Sequence, residues 1–140
     1  LYIIGSGEEK NNLKKKIKEL KLENNVYLLG YIENVYPILI KSRCFILSSL
    51  WEDPGFVLVE AALMNVQIIS SNCKNGPSEI LGWGNGGYLY NANSEKDFIK
   101  KFHEFYFDTS KNHFNKKVIA KKNIRNFSLF RHYLNFNKIL

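Results

Sequence analysis

The sequence predicts an α/β fold: a Rossmann-like parallel sheet with helices on both faces, followed by a helical C-terminal tail. Three observations predict it. Short apolar runs alternate with stretches of helical period over residues 1–90, which is how a chain reads when parallel strands are joined by helical crossovers. The runs are almost continuously apolar rather than alternating, as strands covered on both sides are. From Ser94 onward the spacing of apolar residues is helical to the end of the chain.

The elements follow in order. Leu1-Tyr2-Ile3-Ile4 reads as a buried strand closed by the turn Gly5-Ser6-Gly7. Residues 8–20 place Leu13, Ile17 and Leu20 at helical intervals among lysines. Val26-Tyr27-Leu28-Leu29 is the next strand, ended by Gly30, and residues 34–41 carry Val35, Ile38 and Leu39 on one helical face. Cys44-Phe45-Ile46-Leu47 is a third strand, Phe56 to Met64 a helix, and Val66-Gln67-Ile68-Ile69 a fourth strand before a polar loop. Pro77 to Leu81 suits one helical turn, and Gly87-Tyr88-Leu89-Tyr90 is a fifth strand. The helical tail is expected to break near Asn126-Phe127-Ser128, with Ser128 capping a last helix.

Composition narrows the class of protein. With 140 residues, 45% hydrophobic and 24% charged, the chain is long enough for a real core and is neither disordered nor fibrous. No apolar run approaches the roughly 20 residues of a membrane helix, and the four apolar residues before Gly5 are too few for a signal peptide. Cys44 and Cys73 form no C-x-x-C pair, so two reduced thiols and a cytoplasmic location are expected. The first residue is Leu, which is consistent with a piece of a longer chain. The net charge of +7 is uneven: after Asp108 there are eight basic residues and no acidic one, whereas residues 1–108 sum to −1. A tail of that kind, 111–138, can face an anionic membrane or nucleic acid, or simply be a solvated helix surface.

In open parallel sheets ligands lie beyond the carboxyl ends of the strands. The loops there are Gly5–Gly7, Gly30–Glu33, Ser48–Gly55 and Ser70–Gly76. The densest chemistry is in Ser48-Ser49-Leu50-Trp51-Glu52-Asp53-Pro54-Gly55-Phe56-Val57-Leu58-Val59-Glu60-Ala61. A helix beginning near Gly55 aims unpaired N–H groups and its positive dipole end at the crevice, which makes an anion site. Glu52 precedes that helix and Glu60 lies about one turn inside it, a helical separation of about 7 Å. Two carboxylates flanking an anion site match a sugar-nucleotide, which has hydroxyls at both ends and a diphosphate between. The bland alternative is that Glu52 and Asp53 are favourable helix-start charges and Glu60 a solvated position. Against it, Glu60 sits between Val59 and Ala61 in the most apolar helix, where a free carboxylate is costly.

Other signals are weaker. Gly5-Ser6-Gly7 has Lys10 where a dinucleotide fingerprint needs a third glycine, so it reads as a turn near the ligand. His103, His113 and His132 fall in the tail without metal-ligand spacing, and no metal is expected. Phe102, Phe105, Tyr106 and Phe130 recur at helical intervals and read as core packing. Ser48-Ser49 has no histidine in a base role.

Glu52, then seven residues, then Glu60-Ala61, resembles the signature of retaining glycosyltransferases of the GT-B fold, specifically glycosyltransferase family 4. Four further stretches agree in order. They are Leu1 to Gly7, Val26 to Ile32, Asn75-Gly76-Pro77-Ser78-Glu79-Ile80-Leu81 with Gly86-Gly87-Tyr88-Leu89, and Asn126-Phe127-Ser128 with a last helix. The resemblance covers nearly the whole chain and implies a partial C-terminal nucleotide-sugar-binding domain, with an α/β core over about 1–92 and helices over 93–140. It implies that Glu60 binds ribose hydroxyls and that Glu52, the catalytic candidate, contacts the donor sugar. Backbone groups around Pro54, Gly55, Phe56 and Val57 would hold sugar and diphosphate, Tyr31 and Ile32 the base, with Gly5 and Gly7 beside the ligand.

A UDP- or GDP-sugar would be the donor, with no cofactor and no metal. The acceptor would be a glycan or lipid-linked molecule in surface polysaccharide or lipopolysaccharide assembly, and the basic tail could then touch the inner membrane face. Two positions depart from the pattern: Asn65 stands where the family usually has Gly after this helix, and Asp53-Pro54 replaces smaller residues. The family's diphosphate-binding Arg and Lys, and its N-terminal acceptor domain, would precede Leu1, so this chain alone is expected to have little transferase activity. The rival readings are a noncatalytic nucleotide-binding module and, ranked below it, a basic nucleic-acid-binding protein, disfavoured because the charge lies outside the crevice.

Overall fold

The structure is a computed structural model that describes residues 1–128 and Arg131. The predicted last helix, with Phe130, His132 and Lys138, lies outside the described residues. The chain divides into two compact units, residues 1–35 and residues 36–140. All strand pairing among the described residues is parallel, as the apolar runs predict, in one sheet of two strands and one of three.

The first unit is a single strand–helix–strand crossover. Strand β1 (Tyr2–Ile4) pairs with β2 (Tyr27–Gly30) on either side of α1 (Lys10–Glu19). Tyr2 lies opposite Tyr27, with ring centroids 5.5 Å apart. The Gly5 N–H donates to the Gly30 carbonyl at 2.8 Å and carries the pairing one step past β1. Of the predicted apolar stripe on α1, only Ile17 is half-buried, while Leu13 and Leu20 stay exposed. No residue from 1 to 35 is buried, because one helix on two strands covers a single face of a narrow sheet.

The second unit holds the core. Helix α2 (Tyr36–Lys41) leads to β3 (Cys44–Leu47), α3 (Phe56–Leu63), β4 (Gln67–Ser71), α4 (Pro77–Ile80), β5 (Tyr88–Tyr90), α5 (Glu95–Phe107) and α6 (Ser110–Asn123), with a 3-10 turn at Ile124–Phe127. The sheet order is β3-β4-β5. Alternate residues feed opposite faces. On one, Leu47 and Ile68 pack with Leu58, Ala61 and Ala62 of α3, Ile80 of α4 and Ala120 of α6. On the other, Ile69, Tyr88 and Tyr90 pack with Phe105 of α5. A period of two with both faces covered explains why these strands read as unbroken apolar runs.

Two boundaries differ from the sequence reading. Strand β4 continues through Ser70 and Ser71, beyond the apolar run, and both serines are buried. The tail does break near Asn126, where a 3-10 turn ends at an extended Ser128, but it has an earlier break at Asp108-Thr109 that the apolar spacing did not predict. Asp108 turns extended, and Thr109 Oγ1 accepts from the Asn112 N–H at 3.2 Å to start α6, while Ser94 caps α5 in the same way. Short polar residues bond the backbone locally, so they stop helices and start them.

The N-terminal part of α6 is fastened to the sheet by polar contacts. Gln67 Nε2 donates to the His113 carbonyl at 2.7 Å, and the His113 ring stacks on Phe105 with Nε2 bonding the Phe105 carbonyl at 3.0 Å. Lys116, half-buried, donates to the carbonyls of Gly84 and Gly87 at 3.0 and 3.2 Å and lies 4.6 Å from the Tyr88 ring centroid. Its burial lowers its pKa. The tail's charge is thus not all solvated. Asp108 accepts from the Tyr88 hydroxyl at 2.6 Å, from Asn112 Nδ2 and from the Thr109 N–H. Burial alone would raise the Asp108 pKa, but these three donors outweigh it and hold the carboxyl below its usual value. The burial and the Asp108 bond push Tyr88 strongly upward.

Asn65 adopts φ +60° directly after α3. Its N–H bonds the Ala62 carbonyl and the Val66 N–H bonds the Ala61 carbonyl, both at 3.1 Å, which is the paired pattern of a Schellman stop. Asparagine, which tolerates the left-handed conformation, therefore fills the glycine's role. Replacing Asn65 with Ala is expected to lose about 1 kcal/mol in urea unfolding, whereas Asn65→Gly is expected to lose nothing.

Because the folded Asp108 is the stronger acid, its contribution is fully present above the unfolded carboxyl value of 3.8 and is lost as pH falls through the lower folded value. The melting-temperature gap between the native chain and Asp108→Asn should accordingly narrow below about pH 4.

Candidate functional site

Loop Ser48–Gly55 leaves the carboxyl end of β3 and returns as α3. Its course is set mainly through the main chain. The Tyr90 hydroxyl donates to the Leu47 carbonyl at 3.0 Å, and Ser71 Oγ to the Ser49 carbonyl at 2.6 Å. Trp51 pairs with Lys74 in an isolated parallel bridge, and the Glu52 N–H reaches the Lys74 carbonyl at 3.4 Å. Beyond it the Pro54 carbonyl packs directly on Gly76, where a Cβ would collide with that oxygen. The loop after β3 and the loop after β4 are therefore one rigid assembly at the carboxyl edge of the sheet.

Gly55 then takes a left-handed conformation, φ +83°, that starts α3. The Leu58 N–H bonds the Gly55 carbonyl at 2.9 Å, which leaves the N–H groups of Phe56 and Val57 in the first turn without a carbonyl of their own helix. Phe56 and Val57 are exposed, and so are Leu50 and Trp51. The Glu52 side chain folds back onto this helix start, its Oε2 lying 3.6 Å from where a Gly55 Cβ would be. Glu60, one turn further along α3, is half-buried. Among the described residues neither carboxylate is in an ion pair. The second unit so places Glu52, Pro54, Gly55, Phe56 and Val57 around the start of α3, with Glu60 one turn along the same helix. N–H donors and helix dipole can hold an anion, with hydroxyl-accepting carboxylates before and after it.

The remaining predicted residues belong to the first unit. Gly5 and Gly7 line an open hollow of about 220 Å³ with Ile4, Lys10, Leu13 and Gly30. Tyr31 and Ile32 follow β2 and do not line it; Tyr31 is exposed and Ile32 half-buried. Gly5, at φ +131°, makes the bend that turns the chain toward α1. Among the described residues no cluster of His, Cys, Asp and Glu is arranged to hold a metal. Both cysteines are free thiols, Cys73 buried and Cys44 half-buried. No described helix is long and apolar enough to cross a membrane.

The sequence reading missed the anchors: Ser71 and Tyr90 hold the loop without facing the crevice. Their one signal was polarity out of place, two serines directly following a buried strand and a tyrosine ending another. Putting a methyl group at position 76 should displace the Pro54–Gly55 turn. Gly76→Ala is expected to destabilise the fold by more than about 2 kcal/mol in denaturant titration, and Ser71→Ala by about 1 kcal/mol.

The model of the family described as "Glycosyl transferases group 1" matches residues 1–126. A glycosyltransferase of Methanocaldococcus jannaschii is 49% identical over 81 residues, which are 58% of this chain and 20% of that protein. The N-acetylgalactosamine-N,N'-diacetylbacillosaminyl-diphospho-undecaprenol 4-alpha-N-acetylgalactosaminyltransferase of Campylobacter jejuni is 32% identical over 100 residues, 71% of this chain and 27% of that protein. Among solved structures, a point mutant of Staphylococcus aureus TarM in complex with fondaparinux, alpha-GlcNAc-glycerol and UDP superposes with a TM-score of 0.83 at 25% identity, covering 96% of this chain and 28% of TarM. The chain thus spans between 20% and 28% of the length of these three proteins. Its parallel sheets with helices on both faces are those of GT-B glycosyltransferases, and the chain belongs to the group 1 glycosyltransferases.

Proposed function

We propose that this chain is the nucleotide-sugar-binding part of a retaining glycosyltransferase of family 4. One observation carries the reading: the open first turn of α3, with Glu52 folded against Gly55 and Glu60 one turn on. The free N–H groups of Phe56 and Val57 and the α3 dipole take the diphosphate and offset the charge that grows on it as the glycosidic bond breaks. That stabilisation needs no metal and no cofactor. Glu60 accepts hydrogen bonds from the ribose hydroxyls, and Glu52 from hydroxyls of the donor sugar at the reacting end. The resemblance assigns the base to backbone groups at Tyr31 and Ile32, and Gly5 and Gly7 to the surroundings of the donor.

The donor is a UDP- or GDP-sugar; UDP in the TarM complex favours the first. The acceptor is a glycan or a lipid-linked molecule of surface polysaccharide assembly. The diphospho-undecaprenol in the name of the Campylobacter relative supports the lipid-linked form. The reaction belongs on the cytoplasmic side, where the basic segment 111–138 can touch the inner membrane face. In this reading the chain is the later part of a C-terminal domain, and a separate N-terminal domain presents the acceptor.

Calorimetric titration of the full-length enzyme with UDP and GDP tests the site. Glu60→Ala is expected to weaken nucleotide binding by about tenfold or more, the loss of charge-assisted hydrogen bonds to two hydroxyls. Unchanged affinity would remove Glu60 from the site.

A further inference from the structure

Between Lys111 and Arg125 the sequence has six basic residues and no acidic one. Helix α6 sorts them. His113, Lys116, Ala120 and the following Ile124 face the sheet and are used in packing. Phe114 and Val118, four residues apart, fall on the opposite side and are 63% and 49% exposed. Lys111, Lys121 and Lys122 stand three, seven and eight residues from Phe114, so they share its face; Arg125 follows in the 3-10 turn just past α6, and all four are exposed. The result is a short apolar stripe edged on both sides by cations, with no carboxylate on the helix to neutralise them.

We propose that this outer face of α6 lies on an anionic phospholipid surface. Phe114 and Val118 enter the boundary between headgroups and acyl chains, while the four cations meet lipid phosphates. A bilayer offers both chemistries side by side. A duplex nucleic acid offers phosphates but keeps its bases stacked away from such a face, and a single strand could stack on Phe114 but has no apolar layer for Val118. The inference deepens the lipid-linked acceptor reading above and rests on it for biological purpose, but it uses none of the donor-site residues.

The test is sedimentation of the full chain with phosphatidylglycerol–phosphatidylcholine vesicles, with pure phosphatidylcholine vesicles for comparison. Binding is expected to the mixed vesicles, at least tenfold weaker binding to the neutral ones, and loss of binding in about 1 M salt, where charges are screened within a few ångströms. The triple change Lys111→Glu, Lys121→Glu, Lys122→Glu should reduce binding more than tenfold. Phe114→Ser should reduce it about threefold or more with an unchanged thermal melt, since the side chain is exposed.

Equal binding to neutral vesicles, or no binding to either, overturns the proposal. So does a Phe114→Ser variant that binds anionic vesicles like the native chain while the charge reversal weakens binding to vesicles and to an RNA homopolymer alike. That result would mark a general polyanion surface. Titration of the same variants with UDP separates the two readings. Vesicle binding without nucleotide binding keeps this proposal and sinks the donor site, and the reverse result sinks this proposal alone.

Discussion

Strand β4 has no exposed residue along its five positions, and it has a parallel neighbour on each side. Its side chains alternate between two separate cores, Ile68 toward α3, α4 and α6 and Ile69 toward α5. Every described helix of the second unit from α3 onward packs on a face that β4 helps to build. Because a parallel strand cannot be reached by a tight hairpin, each neighbour of β4 needs a helical crossover. Those crossovers put the connecting loops at the carboxyl edge. Burial of one short strand thereby decides where the exposed chemistry can sit.

At that edge the demands reverse. Loop Ser48–Gly55 exposes polar backbone, yet a loose loop could not hold N–H groups in a fixed direction. The structure meets this with anchors behind the loop: Ser71 on the Ser49 carbonyl, Tyr90 on the Leu47 carbonyl, and Gly76 against the Pro54 carbonyl. Each is itself buried or half-buried in the sheet or in the loop after β4. The first unit shows the opposite balance, with a glycine-lined hollow and no buried residue at all.

Much of this was legible in the sequence because strand and helix identity rest on local periodicity. Cys44–Leu47 stood out as four apolar residues between polar neighbours, and Phe56–Met64 as a helix opened by Pro54-Gly55. The turn at Gly55 that opens α3 was legible too, since Pro54-Gly55 directly precedes the apolar helix. What periodicity could not show was the long-range pairing. The bonds Tyr90 to Leu47 and Gln67 to His113 join residues 43 and 46 positions apart, and nothing in either neighbourhood marks its partner. The break at Asp108-Thr109 was hidden for a different reason: Phe114 and Val118 stand seven and eleven residues after Phe107, intervals that suit one continuous helix, and only the capping chemistry of two short polar residues interrupts the run.

The way loop Ser48–Gly55 is gripped bears on how such a site changes over generations. Its supports reach backbone carbonyls and amides, and side chains at Leu50, Trp51 and Asp53 project outward. Exchange at those three positions alters what the loop presents without loosening the frame that presents it. Surface residues alone can therefore vary, while change at Ser71, Gly76 and Tyr90 costs stability, most of all at Gly76, where a Cβ meets the Pro54 carbonyl. The scaffold separates what must be inherited intact from what is free to diverge.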